Sequence, residues 1–317
     1  MAMFDVYQDQ LATAILEEMV QKIDVVNAMS ANTILLGSES FSGDYKQTSF
    51  FDRITDLIER RDIDSDAAAT DKRLSIKEDV EVVLDFKSRV FIKHEEMLRQ
   101  GLTMEQATSN VATQFVEEFI KRHLNLSVAA AVAAAKNNSA MYDATLTANK
   151  LGYDHLLAAD ALFDSKYDEV SAYMMSPKSL FALRKDAKDT YKFDRVGGLL
   201  IATGVVETMG KPVIVSNIPA LTDSVNSKNL IMGLRPSAIQ LTERANRITR
   251  VQDVTENENL GVRWASEGSV RLGLLGYAYD IASGGRSPSD ATLTTGSNWD
   301  LITENELTGF SLVEAAQ

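Results

Sequence analysis

The sequence predicts an α+β fold with a projecting arm, and three features met in order along the chain predict it. A charged, turn-rich arm runs from about Gly43 to Val90. It leads into a long Ala-rich helix from about Thr103 to Lys136. A β-rich segment follows, containing Gly210-Lys211-Pro212-Val213-Ile214-Val215.

The first element is a helix over residues 5–29, because Leu11, Ile15, Met19 and Ile23 recur every four residues with Glu17, Glu18 and Lys22 between them. Ala31 to Phe41 is small and polar, with Gly37 and Gly43 as breakers, and reads as an extended arm. Within the following arm, Thr48 to Ile54 and Val80 to Phe86 read as two strands of a projecting hairpin. Charge of both signs crowds between them from Glu59 to Asp79, with a small acidic tip over Asp64 to Asp71. A surface helical pair is the alternative for this stretch. Thr103-Met104-Glu105-Gln106 fits a capping box, with a Thr cap and a Gln three residues on. Behind it Met104, Ala107, Val111, Phe115 and Phe119 share one flank, widened by Ala112, Val116, Ile120 and Leu124. An unbroken helix to Lys136 spans about 50 Å at the standard rise and must lie across a sheet or another helix.

A second helix is expected from about Thr147 to Phe163, then a strand at Val170 to Met175. Ser176-Pro177 starts a short helix, with Ser at the cap and Pro at the first position. Strands follow at Leu199–Val206, Pro212–Ser216, Leu230–Met232, Ala238–Leu241, Ile248–Val254, Gly261–Trp264 and Ser269–Tyr279. The Gly/Ser/Thr/Asp-rich tail after Ser283 reads as a loose extension with one docked strand.

Composition narrows the function. The 317 residues are 45% hydrophobic and 24% charged, enough for a sizeable core. Cys is absent, which excludes disulfides and thiolate metal sites and fits a reducing cytosol. No run is long enough for a membrane span, and the first residues lack the basic-then-apolar pattern of a signal peptide. A formal net charge of −13 opposes tight nucleic-acid binding and favours solubility.

The chemistry-bearing patterns fail one by one. The three histidines, His94, His123 and His155, show no i, i+4 spacing and read as surface or half-buried residues. Asp62, Asp64 and Asp66 open like a calcium loop, but its sixth position is Ala67 and its twelfth Arg73. No phosphate loop, dinucleotide fingerprint or nucleophile elbow is present. Glu117 and Glu118 are sequence neighbours on a helix and point apart. The basic clusters (Arg60-Arg61, Lys121-Arg122-His123, and Arg235, Arg244, Arg247 and Arg250) lack interleaved aromatics. They read as solvated faces or as contacts with the acidic arm of a neighbouring copy. No catalytic residue, cofactor or metal site is assigned.

The order of parts resembles the major capsid proteins of tailed bacteriophages, the Hong Kong 97-type capsid fold, over most of the chain. The charged hairpin is similar to that family's extended loop, and Thr103 to Lys136 to its spine helix. Tyr173-Met174-Met175-Ser176-Pro177-Lys178-Ser179-Leu180 resembles a strand-to-helix junction common there. Gly204 to Ser216 resembles the strand that follows it, and Gly261-Val262-Arg263-Trp264 through Gly273 to Ala278 the strands returning to the peripheral domain. The resemblance implies an N-terminal arm at 1–43, an extended loop at 44–95 and a peripheral domain of 96–149 and 244–283. It implies an axial domain at 150–243 and a C-terminal extension at 284–317.

The expected function is a structural shell protein that self-assembles through hexamers and pentamers into an icosahedral phage head around double-stranded DNA. Packaged DNA, a portal and decoration proteins are the partners the resemblance implies. Many family members begin with a cleaved scaffolding extension, whereas here the arm-like helix starts within a few residues of Met1. That suggests a processed form or a separate scaffolding protein. Assembly is expected in the host bacterial cytoplasm and residence in the virion. The candidate contacts between copies are Glu59, Arg60, Arg61, Asp62, Asp64, Asp66, Lys72 and Arg73 of the arm, with Arg244, Arg247 and Arg250. An encapsulin-like compartment of the same fold, and an acidic cytosolic enzyme of unfamiliar type, are the alternatives.

Overall fold

The long helix organises the molecule. In the computed structural model it runs Met104–Asn137, 34 residues. The structure describes residues 2–52, 58, 60, 71–186, 194–196, 199–202, 210–223, 226–255 and 258–316. The expected capping box starts the helix: Thr103 Oγ1 accepts from the Gln106 amide at 3.2 Å, and Gln106 Oε1 accepts from the Thr103 amide at 3.1 Å. These bonds satisfy two donors that helix geometry leaves without a partner.

The first half of this helix packs on the N-terminal helix Ala2–Met29. Leu11, Ile15 and Met19 of that helix share a core with Ala107, Ala112 and Val116, and with Val251, Val262 and Trp264 of the sheet beyond. The second half of the long helix is Ala-rich for a packing reason. Val128, Ala130, Ala131, Ala134 and Ala135 join one core with residues of both sheets, among them Val82, Ile239, Leu272, Met232 and Leu312. Short side chains let the helix backbone approach the strands closely, and loop residue Gly296 approaches it in turn. A Cβ there would lie 2.5 Å from the Ala133 carbonyl oxygen.

The first sheet has eight strands among the described residues. Its spine is the strand Gly261–Leu274, which pairs antiparallel with Ile76–Lys93 from Gly261↔Lys93 to Leu272↔Val82. Gly261 is required by that pairing, since a Cβ would sit 2.3 Å from the Ile92 oxygen. The strands Ile239–Arg244 and Ile248–Val254 also flank Gly261–Leu274. Ile34–Glu39 runs parallel to Ile239–Arg244. Tyr277–Tyr279 and Trp299–Leu301 complete that side, and Tyr45–Phe51 pairs with Ile76–Lys93 to form the hairpin.

The second sheet also has eight described strands. In order they are Tyr142–Asp143, Phe310–Ala316, Lys228–Leu234, Ala172–Met175, Val213–Val215, Leu199–Ala202 and Asp194–Val196, with Thr222–Asp223 beside Lys228–Leu234. Helices Tyr153–Ala161 and Pro177–Asp186 cover one face around Leu156, Ala159, Leu180 and Leu183. Ser176 caps the second of these, its Oγ accepting from the Ser179 amide at 3.2 Å.

Several described elements differ from the sequence expectation, among them the unexpected helix His94–Gln100. Residues 34–39, read as part of a polar arm, form a strand because Ile34 is buried against Ile239 and its neighbours. The helix expected from Thr147 begins at Tyr153 after Gly152, and the residues before it form turns and a short strand. The two strands expected within Gly261–Tyr279 are one strand to Leu274, because Gly268 lies against the Phe86 ring and does not break it. The tail is less loose than expected. Phe310–Ala316 lies between Tyr142–Asp143 and Lys228–Leu234, inside the second sheet.

Candidate assembly surfaces

The hairpin strands are largely exposed. They pair from Tyr45↔Val82 to Phe51↔Ile76. Toward the far end of the described ladder its apolar side chains are exposed. Phe51, Leu74 and Ile76 are 67%, 55% and 62% exposed. Asp71, Lys72 and Arg73 are exposed beside them. Lys77 and Asp52 close the end of the ladder with an ion pair at 3.1 Å. Exposed apolar residues gathered near one end of a ladder, with Phe51 opposite Ile76, make this a candidate interaction surface.

A charge cluster fixes the base of the hairpin. Arg271, 6% exposed, donates to Glu39 at 2.9 Å and pairs with Glu81. Lys46 lies 3.6 Å from Glu81. The Phe41 ring is held between the guanidinium groups of Arg244 at 4.8 Å and Arg271 at 5.0 Å. Arg244 also donates to the Gly43 carbonyl at 3.2 Å, so the turn into the hairpin is tied to the sheet by cation–π contacts and a hydrogen bond.

The candidate contacts fall into three groups. Arg60, Lys72, Arg73 and Arg250 are exposed. Glu59, Arg61, Asp62, Asp64 and Asp66 lie outside the described residues. Arg244 and Arg247 are engaged within their own chain. Arg247 donates to Glu243 at 2.8 Å and lies over the Phe115 and Phe119 rings at 5.0 and 5.7 Å. These contacts tie Arg247 to the long helix and to Glu243 of its own chain. The basal cluster of Glu39, Phe41, Glu81 and Arg271 was missed. Its one sequence signal is Arg271 itself, a charge set between Val270 and Leu272 in an apolar run.

Where the hairpin strand crosses the long helix, Phe86, Val90, Val111, Phe115 and Phe119 line a groove of about 620 Å³. His123 closes its floor, buried rather than half-exposed, with its ring 4.3 Å from Phe119 and 5.6 Å from Phe86. Its Nδ1 donates to the Phe119 carbonyl at 2.8 Å. Burial holds its pKa below the usual 6.5, outweighing that backbone bond. A base whose folded pKa is depressed opposes folding once the unfolded chain can take the proton. Its destabilising contribution is therefore absent well above pH 6.5 and grows as pH falls below it. Between pH 7 and 5 the urea midpoint of the parent chain is expected to fall relative to that of His123→Phe.

The other histidines are accounted for locally. His94 meets Asp253 at 3.0 Å on the surface, and buried His155 accepts from the Gly152 amide through Nδ1 at 3.2 Å. Among the described residues no three His, Asp or Glu side chains are grouped to hold a metal ion, and no helix is long and apolar enough to cross a membrane. The arrangement presents surfaces and internal ties.

The sequence matches the family described as "Gp13-like: Major capsid protein 13-like" over residues 3–308. No curated protein matches it. Among solved structures, the Cyanophage Pam1 capsid is similar at a TM-score of 0.55 and 8% identity, covering 89% of this chain and 88% of that one. The capsid of Ralstonia phage GP4 is similar at 0.51 and 11% identity, covering 89% and 86%. The holo-SrpI encapsulin complex from Synechococcus elongatus is similar at 0.51 and 11% identity, covering 88% and 84%. At such identities the likeness is one of fold, the Hong Kong 97-type capsid fold expected above.

Proposed function

This chain belongs to the Gp13-like major capsid protein family, and from that premise we propose that it builds a closed icosahedral phage head of hexamers and pentamers around double-stranded DNA. Its role is structural, that of a capsid subunit, and its family places it in the virion. The finer reading adds assembly in the host cytoplasm with scaffolding, portal and decoration proteins. The division into peripheral and axial units is part of the same reading, with Phe310–Ala316 assigned to the axial unit because it pairs with Lys228–Leu234.

The observation that carries the assembly reading is the hairpin, which exposes Phe51, Leu74 and Ile76. An adjacent subunit is the partner that would cover them. Exposed ion pairs contribute about 0–1 kcal/mol each. Contacts that weak, repeated around a closed symmetric assembly, permit correction of misplaced subunits and sum to a stable particle. Neutralising Arg60, Arg61, Lys72 and Arg73 together is expected to impair shell formation, read by negative-stain microscopy, with the circular dichroism of the subunit unchanged. Normal shells from that variant would refute the role given to those charges.

An encapsulin-like compartment is the second reading, favoured by the similarity to the Synechococcus complex. Purified particles decide between the two. Nuclease-protected DNA supports the phage head, and a co-purifying protein cargo supports the compartment.

A further inference from the structure

Just beyond its base, the hairpin ladder holds an unusual carboxyl group. Asp79 stands opposite Thr48 in the ladder, two residues from Glu81 and therefore on the same face of its strand. It is half-buried. Among the described residues no hydrogen bond or ion pair reaches its carboxyl group. The cations around it are committed elsewhere. Lys46, from the facing strand, lies on Glu81 at 3.6 Å. Lys77, from its own strand, lies on Asp52 at 3.1 Å. Arg271, from Gly261–Leu274, is held by Glu81 and by Glu39 of Ile34–Glu39.

We propose that the hairpin ladder is a proton-controlled clamp: protonated Asp79 lets the two strands close as seen here, and ionised Asp79 loosens them. A charged carboxylate without a partner is costly in a half-buried site, and costlier beside Glu81. Loss of the proton is relieved when the strands part and water reaches the group. The clamp rests on the assembly role given to the hairpin, because it sets how firmly the projecting segment is aimed.

Burial pushes the Asp79 carboxyl up from 3.8 to about 6, with Glu81 adding to the rise and Lys46 opposing it. The closed form thus binds a proton more tightly than the open one. Its stabilisation is full below pH 3.8 and is lost as pH rises through about 6. Opening of the hairpin ladder is expected to increase about tenfold from pH 4.5 to 7.5, within the ceiling set by such a shift.

Hydrogen exchange of peptides from residues 45–51 and 76–82, corrected for intrinsic amide chemistry, reads this on the dissociated chain. Asp79→Asn is expected to stay protected at both pH values. Lys46→Met removes the opposing cation and is expected to move the midpoint to higher pH. Wild-type exchange that follows intrinsic chemistry alone, a pH dependence that survives Asp79→Asn, or an unmoved midpoint in Lys46→Met would each overturn the clamp. Because exchange is read without assembly, its outcome is separate from whether shells form.

Discussion

Phe310→Ala is expected to destabilise the subunit by about 3–5 kcal/mol, the usual cost of emptying a large buried aromatic site. Phe310 is fully buried at the start of the terminal strand, in register with Leu234. Its ring stacks on Tyr277 of the first sheet, 5.1 Å between centroids and 15° between planes. The Tyr277 hydroxyl accepts from Asn138 at 3.1 Å, immediately after the long helix. One side chain therefore helps join both sheets and the end of the helix that spans them. The surroundings have little freedom to collapse into the space, because Tyr277 and the flanking strands are fixed by their own pairings. A loss of this size is a large fraction of the roughly 5–15 kcal/mol that keeps a domain folded. A lower urea midpoint with an unchanged slope would establish it. A midpoint within experimental error of the parent chain would show that the stack carries no such load.

The terminal strand also marks the limit of what the sequence conveys. Phe310–Ala316 is buried on both faces over all but its last residue, so it has no alternation of apolar and polar positions to read. Its Glu314 argues against a core strand until the charges around it are known. Ile34–Glu39 was illegible for a different reason, since its partner Ile239–Arg244 is remote in sequence. The long helix, by contrast, was legible to its first residue, because a capping box and a repeat near 3.6 are local signals. The hairpin was legible as two β-rich stretches around a charged segment, with strand ends displaced by several residues.

The charges of the candidate surface divide in the same way. Sequence reports that Arg244, Arg247 and Arg250 are near one another, but not where each points. Arg247 turns onto Glu243 and two Phe rings, Arg244 onto Phe41, and Arg250 stays exposed. Direction depends on the aromatic rings supplied by the long helix and by the arm. No local pattern carries that information.

Removing both cations from Glu314, as Lys136→Met with Lys228→Met, is the second change expected to be severe. Glu314 is 2% exposed, yet its carboxylate receives Lys228 at 2.6 Å and Lys136 at 3.6 Å, from a strand and from the end of the long helix. Tyr142 donates to it as well. Burial raises its pKa, but the hydrogen bonds and the two lysines outweigh burial and hold it below the usual 4.5. The parent chain thus draws stability from this group above the unfolded pKa and loses it as pH falls through the lower folded value. Stripping one side of a buried ion pair costs about 3–5 kcal/mol, and the tyrosine left in place keeps the expectation at the lower end. Without the lysines, burial is no longer outweighed and the carboxyl prefers to be neutral. The deficit is therefore expected to be full at pH 7 and to shrink as pH falls toward 4. Urea midpoints of parent and double variant across that range check it, and a gap independent of pH would show that the lysines act through packing of their stems and not through the buried charge.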